Sequence, residues 1–247
     1  MKAVYLKELR SYFTTPLGYV FMAFMLVLFG IYFMLYGLIY QSSDYSYVLN
    51  AVTLLILFAL PLLTMRMFSE EMKNRTDQLL FTAPVKVWKI VLGKYLALAA
   101  VHSIVVLGFC LYPLLLSRFG TVPFAQSYTG LFGMWLFGLA ELAVCVFLSS
   151  LTENVIIAAV LSFACLFLSM IMPNLEQMIS ADGNLLTTVL GALDIPSRFD
   201  SFLNGKIDLT ALVYLASIVF LFLFLTTQVL QKRRYTVSRN TLSFGAY

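Results

Sequence analysis

The sequence predicts an all-α polytopic membrane protein with six transmembrane helices and both termini on the cytoplasmic side. Three observations carry that reading. Of 247 residues, 61% are hydrophobic and only 11% are charged, with a mean hydropathy of +0.91. A soluble domain is about 45–50% apolar and about 25% charged, so lipid must solvate most of this surface. The apolar runs are long and do not alternate with polar residues, which favours helices over a barrel. Lys and Arg gather on one side of those runs. This composition excludes a secreted domain, a cytosolic enzyme and a disordered chain.

Six runs qualify as spans: Leu17–Ile39, Val48–Met65, Ile90–Leu116, Tyr128–Leu148, Val155–Met172 and Leu209–Leu230. The first is free of charge and, at about 1.5 Å per residue, reaches roughly 34 Å, enough for a hydrocarbon core of about 30 Å. It is too long for a signal-peptide core of about 7–15 residues and reads as a retained helix. Lys2, Lys7 and Arg10 precede it. Arg66, Lys73, Arg75, Lys86, Lys89 and Lys94 lie around the connection between spans two and three, and Lys232, Arg233, Arg234 and Arg239 follow span six. Only Arg118, Arg198 and Lys206 fall on the other side. The net charge of +4 is therefore an orientation signal and not a nucleic-acid surface. An even number of spans agrees with both ends being inside.

Three segments lie outside the hydrocarbon. Residues 1–16 read as an amphipathic interfacial helix ending before Pro16, with Tyr5, Leu9, Tyr12 and Phe13 at helical spacing and Lys7, Glu8 and Arg10 mostly elsewhere around the wheel. Residues 66–90 form a cytoplasmic connection longer than the usual about 2–8 residues between bundled helices. There Phe68, Met72, Leu79 and Leu80 fall on one helical stripe, opposite Glu70, Glu71, Lys73, Asn74, Arg75 and Asp77. Such an element can act as a lever, offering charge to a soluble partner while its apolar side rides on the bundle; the alternative is a solvated connector with no partner, and the length favours the lever. Residues 173–208 form an extracytoplasmic cap or re-entrant segment, since the apolar run Leu185–Leu193 is too short to span.

Besides Lys94 near the interface end of span three, Glu141 and His102 fall inside spans. Glu141 sits in the middle of span four, where a charge costs on the order of 2.5–3.5 kcal/mol on insertion scales. It lines a pathway or fixes packing, and His102 in span three is a candidate partner. Gly130, Gly133 and Gly138 permit close helix approach.

No catalytic or metal site is expected. The phosphate-binding pattern G-x-x-x-x-G-K-[ST] is missing, because Gly93-Lys94 is followed by Tyr95 and Trp88 stands where the first glycine belongs. One histidine and three scattered cysteines offer no zinc spacing, and no G-x-S-x-G motif accompanies the histidine.

The stretches Met65–Lys73, Leu79–Val85 and Val91–Tyr95 together resemble the coupling region of ABC-2 type transporter permeases. Lys7–Tyr19 is similar to the opening of their gliding-motility (GldF-like) branch, and Ser149–Asn154 with Ala158-Ala159 is similar to its turn between spans four and five. Where that branch commonly has Gly-Thr with a Glu two residues on, this chain has Arg75-Thr76-Asp77-Gln78. The resemblance implies a type V exporter-like permease subunit in the cytoplasmic (inner) membrane. It implies pairing with a second permease copy or a paralogue, and two ABC ATP-binding subunits that hold ATP and Mg, so that this chain binds no cofactor itself. Phe68, Glu70, Glu71, Lys73, Arg75, Asp77, Leu79 and Leu80 would form the ATPase-coupling interface, braced by the helix that carries Lys7, Glu8 and Arg10. The alternatives are a non-transporting membrane anchor or regulatory subunit and, with less support, an intramembrane enzyme. Abundant Phe, Tyr and Met suit contact with membrane lipid.

Overall fold

Among the described residues, six helices are long and apolar enough to cross a membrane: Pro16–Gly37, Ser46–Lys73, Val87–Leu116, Phe124–Leu151, Val155–Pro173 and Leu209–Arg233. They coincide with the six runs read from the sequence, because hydrocarbon leaves backbone N–H and C=O groups no partner but one another. The chain is thus an all-α, multi-pass membrane protein. The computed structural model describes residues 1–39, 45–76, 85–118, 122–179 and 194–244, with side chains omitted at 38, 174–179 and 234–244.

Helix α1 covers Lys2–Thr14 and α2 covers Pro16–Phe33, continued by a π-helical stretch over Met34–Ile39. Thr15 between them is extended (φ −92°, ψ 149°), and Pro16 occupies the first position of α2. Proline suits that position because its missing N–H has no helical partner there, and it forces the preceding residue out of helical geometry. Two axes therefore meet at Thr15 and not one long helix. Tyr12 is buried and Tyr5, Leu9 and Phe13 are partly buried, whereas Lys2, Lys7 and Arg10 face outward.

Helix α3 spans Ser46–Thr64, α4 is the short Ser69–Lys73, α5 spans Val87–Phe109 and α6 spans Leu111–Leu116. Helix α7 (Phe124–Leu151) forms the core of the bundle, with 67% of its most apolar window buried against 17% for α8 (Val155–Ile179). Helices α3, α5, α8 and the last span, α10 (Leu209–Phe244), all pack on α7. Asn154 caps α8 by accepting the N–H of Ile156 at 2.9 Å. Asp208 precedes α10 and accepts the N–H of Thr210 at 2.9 Å, which holds its carboxyl below the ordinary value.

The segment expected to cap the outer side contributes a helix the sequence reading did not place, α9 (Pro196–Leu203). Asp194 accepts the N–H of Ser197 at 3.0 Å, Pro196 takes the first turn, and Phe199, Phe202 and Leu203 form one buried face against α7. The Phe199 ring lies 5.5 Å from that of Phe137, and Phe202 seats on Gly133. Residues 180–193, including the whole Leu185–Leu193 run, lie outside the described residues.

Candidate functional site

The site is assembled at the end of the bundle where most of the basic residues lie. It starts from Gly93 in α5. A side chain there would meet the Val4 side chain at 3.2 Å and the Met1 carbonyl at 3.3 Å, so glycine lets the start of α1 lie directly on α5. The next residue, Lys94, then falls where α1, α4 and α5 converge. Its ammonium donates to Glu71 Oε1 at 2.7 Å, to Glu8 Oε1 at 3.1 Å and to the Met67 carbonyl at 3.2 Å. Those three bonds use every donor a lysine has. The lysine is 1% exposed, while Glu8 and Glu71 are 13% and 20% exposed at the side chain. The ammonium also lies 5.2 Å from the centre of the Phe68 ring. Tyr12 closes the cluster from α1, and its hydroxyl is pushed up by burial and further by the charges of Glu8 and Glu71, so it stays neutral.

A second attachment fixes α4 to α7. Ser69 Oγ donates to the Ser149 carbonyl at 3.0 Å, and the Phe68 N–H donates to Ser149 Oγ at 3.3 Å. Ser69 and Ser149 are both fully buried, so these bonds are shielded from competing water. The short helix is thereby held on one side by a charge cluster and on the other by two serines. Its remaining face carries Glu70 and Lys73, and Arg66, Asn74 and Arg75 flank the helix, all exposed.

Helix α4 stops after one turn because of Arg75, the one non-glycine residue with positive φ among the described residues (54°). The N–H of Thr76 reaches the Glu71 carbonyl and that of Arg75 reaches the Met72 carbonyl, the two bonds of a Schellman ending, whose left-handed position is usually glycine. The continuous stripe expected from Phe68 to Leu80 is therefore interrupted here. Phe68 and Met72 are buried, and Asp77, Leu79 and Leu80 lie outside the described residues. Because a left-handed side-chain-bearing residue costs roughly 1–2 kcal/mol, Arg75→Gly is expected to tighten the turn by about 0.5–1 kcal/mol after the added freedom of the unfolded glycine. Hydrogen exchange of the Thr76 amide checks this: slowing by about two- to fivefold is expected, and unchanged or faster exchange contradicts it.

The structure separates residues that look equivalent in sequence. Glu70 and Lys73 face outward, whereas Glu71 turns in to Lys94. In α1, Lys7 and Arg10 are exposed and Glu8 is the residue that points to the bundle. Lys94, Ser69 and Ser149 were missed as site residues. The available signal was a lone charge within the apolar Ile90–Leu98 stretch, where a lysine needs a partner.

Glu141 and His102 both sit inside the bundle, 3% and 1% exposed. The His102 ring fills the space above Gly138, where any side chain would collide with it. Neither ring nitrogen of His102 nor Glu141 Oε2 has a hydrogen-bond partner among the described residues, so the two do not bond to each other through those atoms. A weaker attachment closes the same end of the bundle: Arg233 meets Glu153 at 3.4 Å and donates to the Leu151 carbonyl. With Glu153 68% exposed, that pair adds little stability.

Six candidate membrane-crossing helices among the described residues, with a charged turn clamped to one end of the bundle, define a polytopic membrane protein. Residues 35–190 match the family described as ABC-2 family transporter protein. That is more than half of the chain, which therefore belongs to the ABC-2 family of transporter membrane proteins. No curated protein matches it. The family is that of transporter permeases, membrane subunits that work with an ATPase partner.

Proposed function

We propose that this chain is the membrane-spanning permease subunit of an ATP-driven exporter in the cytoplasmic (inner) membrane. Two copies, or one copy and a paralogue, pair across the membrane. Each docks one ATP-binding subunit, which holds the ATP and Mg, at residues 66–90. The observation that carries the reading is the Lys94 cluster: a turn with an outward charged face, fastened by one buried cation to both the first helix and span three. A push on α4 is then delivered to α1 and α5 together and not absorbed by a loose loop. The likeness of Lys7–Tyr19 to the gliding-motility branch supports placing the chain there.

In this reading Glu70, Lys73 and Arg75 contact the ATPase, and Glu71 and Glu8 hold the lever in place. Asp77, Leu79 and Leu80 continue the contact. Glu141 and His102 act in packing and not as pathway lining, because a route between two permease copies would run along bundle surfaces and both residues are interior.

Affinity purification of the full chain from its native membrane tests the proposal. An ATP-binding subunit is expected to co-purify, and Glu70→Lys with Lys73→Glu is expected to reduce its recovery about tenfold or more, since like charges juxtaposed at an interface cost several kcal/mol. The two sites are exposed, so the thermal stability of the double variant should match wild type. ATP hydrolysis or vectorial flux by the chain reconstituted alone overturns the reading, as does undiminished ATPase recovery with the variant.

A further inference from the structure

A groove of about 500 Å³ lies between the first turns of α2 and the last turns of α3, at the same end of the bundle as Lys94. Val20, Phe21 and Phe24 wall it on one side and Ala59, Leu62 and Leu63 on the other. It opens outward where lipid would be, since Val20, Leu62 and Phe24 are 65%, 54% and 46% exposed. From Pro16 to Phe24 a helix rises roughly 12 Å, most of the about 15 Å depth of one hydrocarbon leaflet. Thr15 and Arg66 stand at its mouth.

Arg66 is exposed and takes part in no salt bridge among the described residues. Glu8 and Glu71 are committed to Lys94 and Glu153 to Arg233, while Glu70, one turn on from Arg66 and exposed, forms no salt bridge with it among the described residues. An apolar slot one leaflet deep, with an unpaired guanidinium at the polar end, has the dimensions and charge of an acyl chain attached to a phosphate. Arginine's planar fork suits phosphate oxygens in particular. Free phosphate would gain nothing from the apolar walls.

We propose that this groove binds an anionic glycerophospholipid, with one acyl chain between α2 and α3 and the headgroup phosphate on Arg66. The groove's walls lie on α2 and α3, apart from the charged face of α4, and lipid binding there does not depend on an ATPase partner; Arg66 at its mouth is the one residue it shares with the proposed 66–90 docking region. Lipid bound there would wedge the hinge at Thr15–Pro16 against the base of the lever at Met65–Arg66, so that its presence sets their spacing.

Native mass spectrometry of the full chain in neutral detergent tests this. The probes are phosphatidylglycerol and phosphatidylcholine with identical acyl chains, added in equal amounts. Wild type is expected to retain phosphatidylglycerol about fivefold over phosphatidylcholine, the preference one well-placed cation supplies. Arg66→Gln should bring the ratio close to one, whereas Lys89→Gln, a basic change elsewhere on the same side, should leave it unaltered. Leu62→Trp and, independently, Val20→Trp fill the groove from lipid-exposed positions and should lower retention of both lipids. Excess inorganic phosphate should leave the adducts in place. The proposal is overturned by a wild-type ratio near one, by equal effects of Arg66→Gln and Lys89→Gln, by full retention in both tryptophan variants, or by displacement with inorganic phosphate.

Discussion

Lys94→Met is expected to release α1 from the bundle and to unfasten α4, the largest effect of any single polar substitution in this chain. The change removes the cation and leaves Glu8 and Glu71 facing each other at the edge of the bundle, with the Met67 carbonyl also unpaired. Breaking a buried charge group by deleting one partner costs about 3–5 kcal/mol. Both carboxylates retain some solvent, so the lower end of that range applies, about 3 kcal/mol, or roughly 100-fold in local opening. Hydrogen exchange of the α1 amides is the measurement, and less than about threefold acceleration would sink the assignment.

The cost comes from stranded negative charge more than from the lost attraction, which gives the experiment a second arm. In a Glu8→Gln/Glu71→Gln background, Lys94→Met should cost much less, because neutral amides bear desolvation better than carboxylates. If the penalty is the same in both backgrounds, the lysine acts by filling volume and not by charge. ATP hydrolysis in the assembled transporter offers a readout that simple packing would not move: the Lys94→Met complex should still dock its ATPase through Glu70 and Lys73 yet lose the link between hydrolysis and export.

Gly133→Ala is expected to detach α9 from α7. A methyl group at that position would lie 2.4 Å from Phe202 Cβ and 2.5 Å from its Cγ. Those atoms are close to the backbone and cannot swing aside, so the helix must shift, carrying Phe199 and Phe202 with it. Overpacking of this kind costs about 1–3 kcal/mol, and separation from α7 exposes two aromatic side chains besides. Gly130→Ala serves as the control. There the obstacle is Leu49 Cδ1, the far end of a flexible side chain, and a small rotation relieves it. Exchange of the α9 amides should accelerate at least tenfold in Gly133→Ala, equivalent to about 1.4 kcal/mol, and little in Gly130→Ala. Phe202→Gly should absorb most of the Gly133→Ala penalty, and equal behaviour of the two glycine variants would refute the close-contact explanation.

The six spans and the gathering of basic residues at one end were legible in the sequence, because hydropathy and charge bias are local sums that lipid reads directly. The helix break at Pro16 was legible for a similar reason, since proline acts on its own neighbours. Helix α9 was within reach, as Asp194, Pro196 and the Phe199–Phe202–Leu203 spacing are a start signal followed by an apolar face. The interruption of the 66–80 stripe was not, because nothing in the hydrophobic pattern requires Arg75 to adopt a left-handed backbone.

Pairing across the bundle was decided by tertiary structure alone. Glu70 and Glu71 are adjacent and chemically identical, and about 100° around a short helix separates an outward contact from a buried one. Lys94 counts in the sequence as one more cation near an interface, yet it is bound to carboxylates 86 and 23 residues away. His102 likewise belongs to Gly138 and not to Glu141 through any bond of its ring nitrogens. The local chain chemistry of this protein determined which segments enter the membrane and at which end its charge collects. Which charge meets which depended on how closely the helices approach, and that distance is set by small residues such as Gly93, Gly133 and Gly138 on elements far apart in the chain.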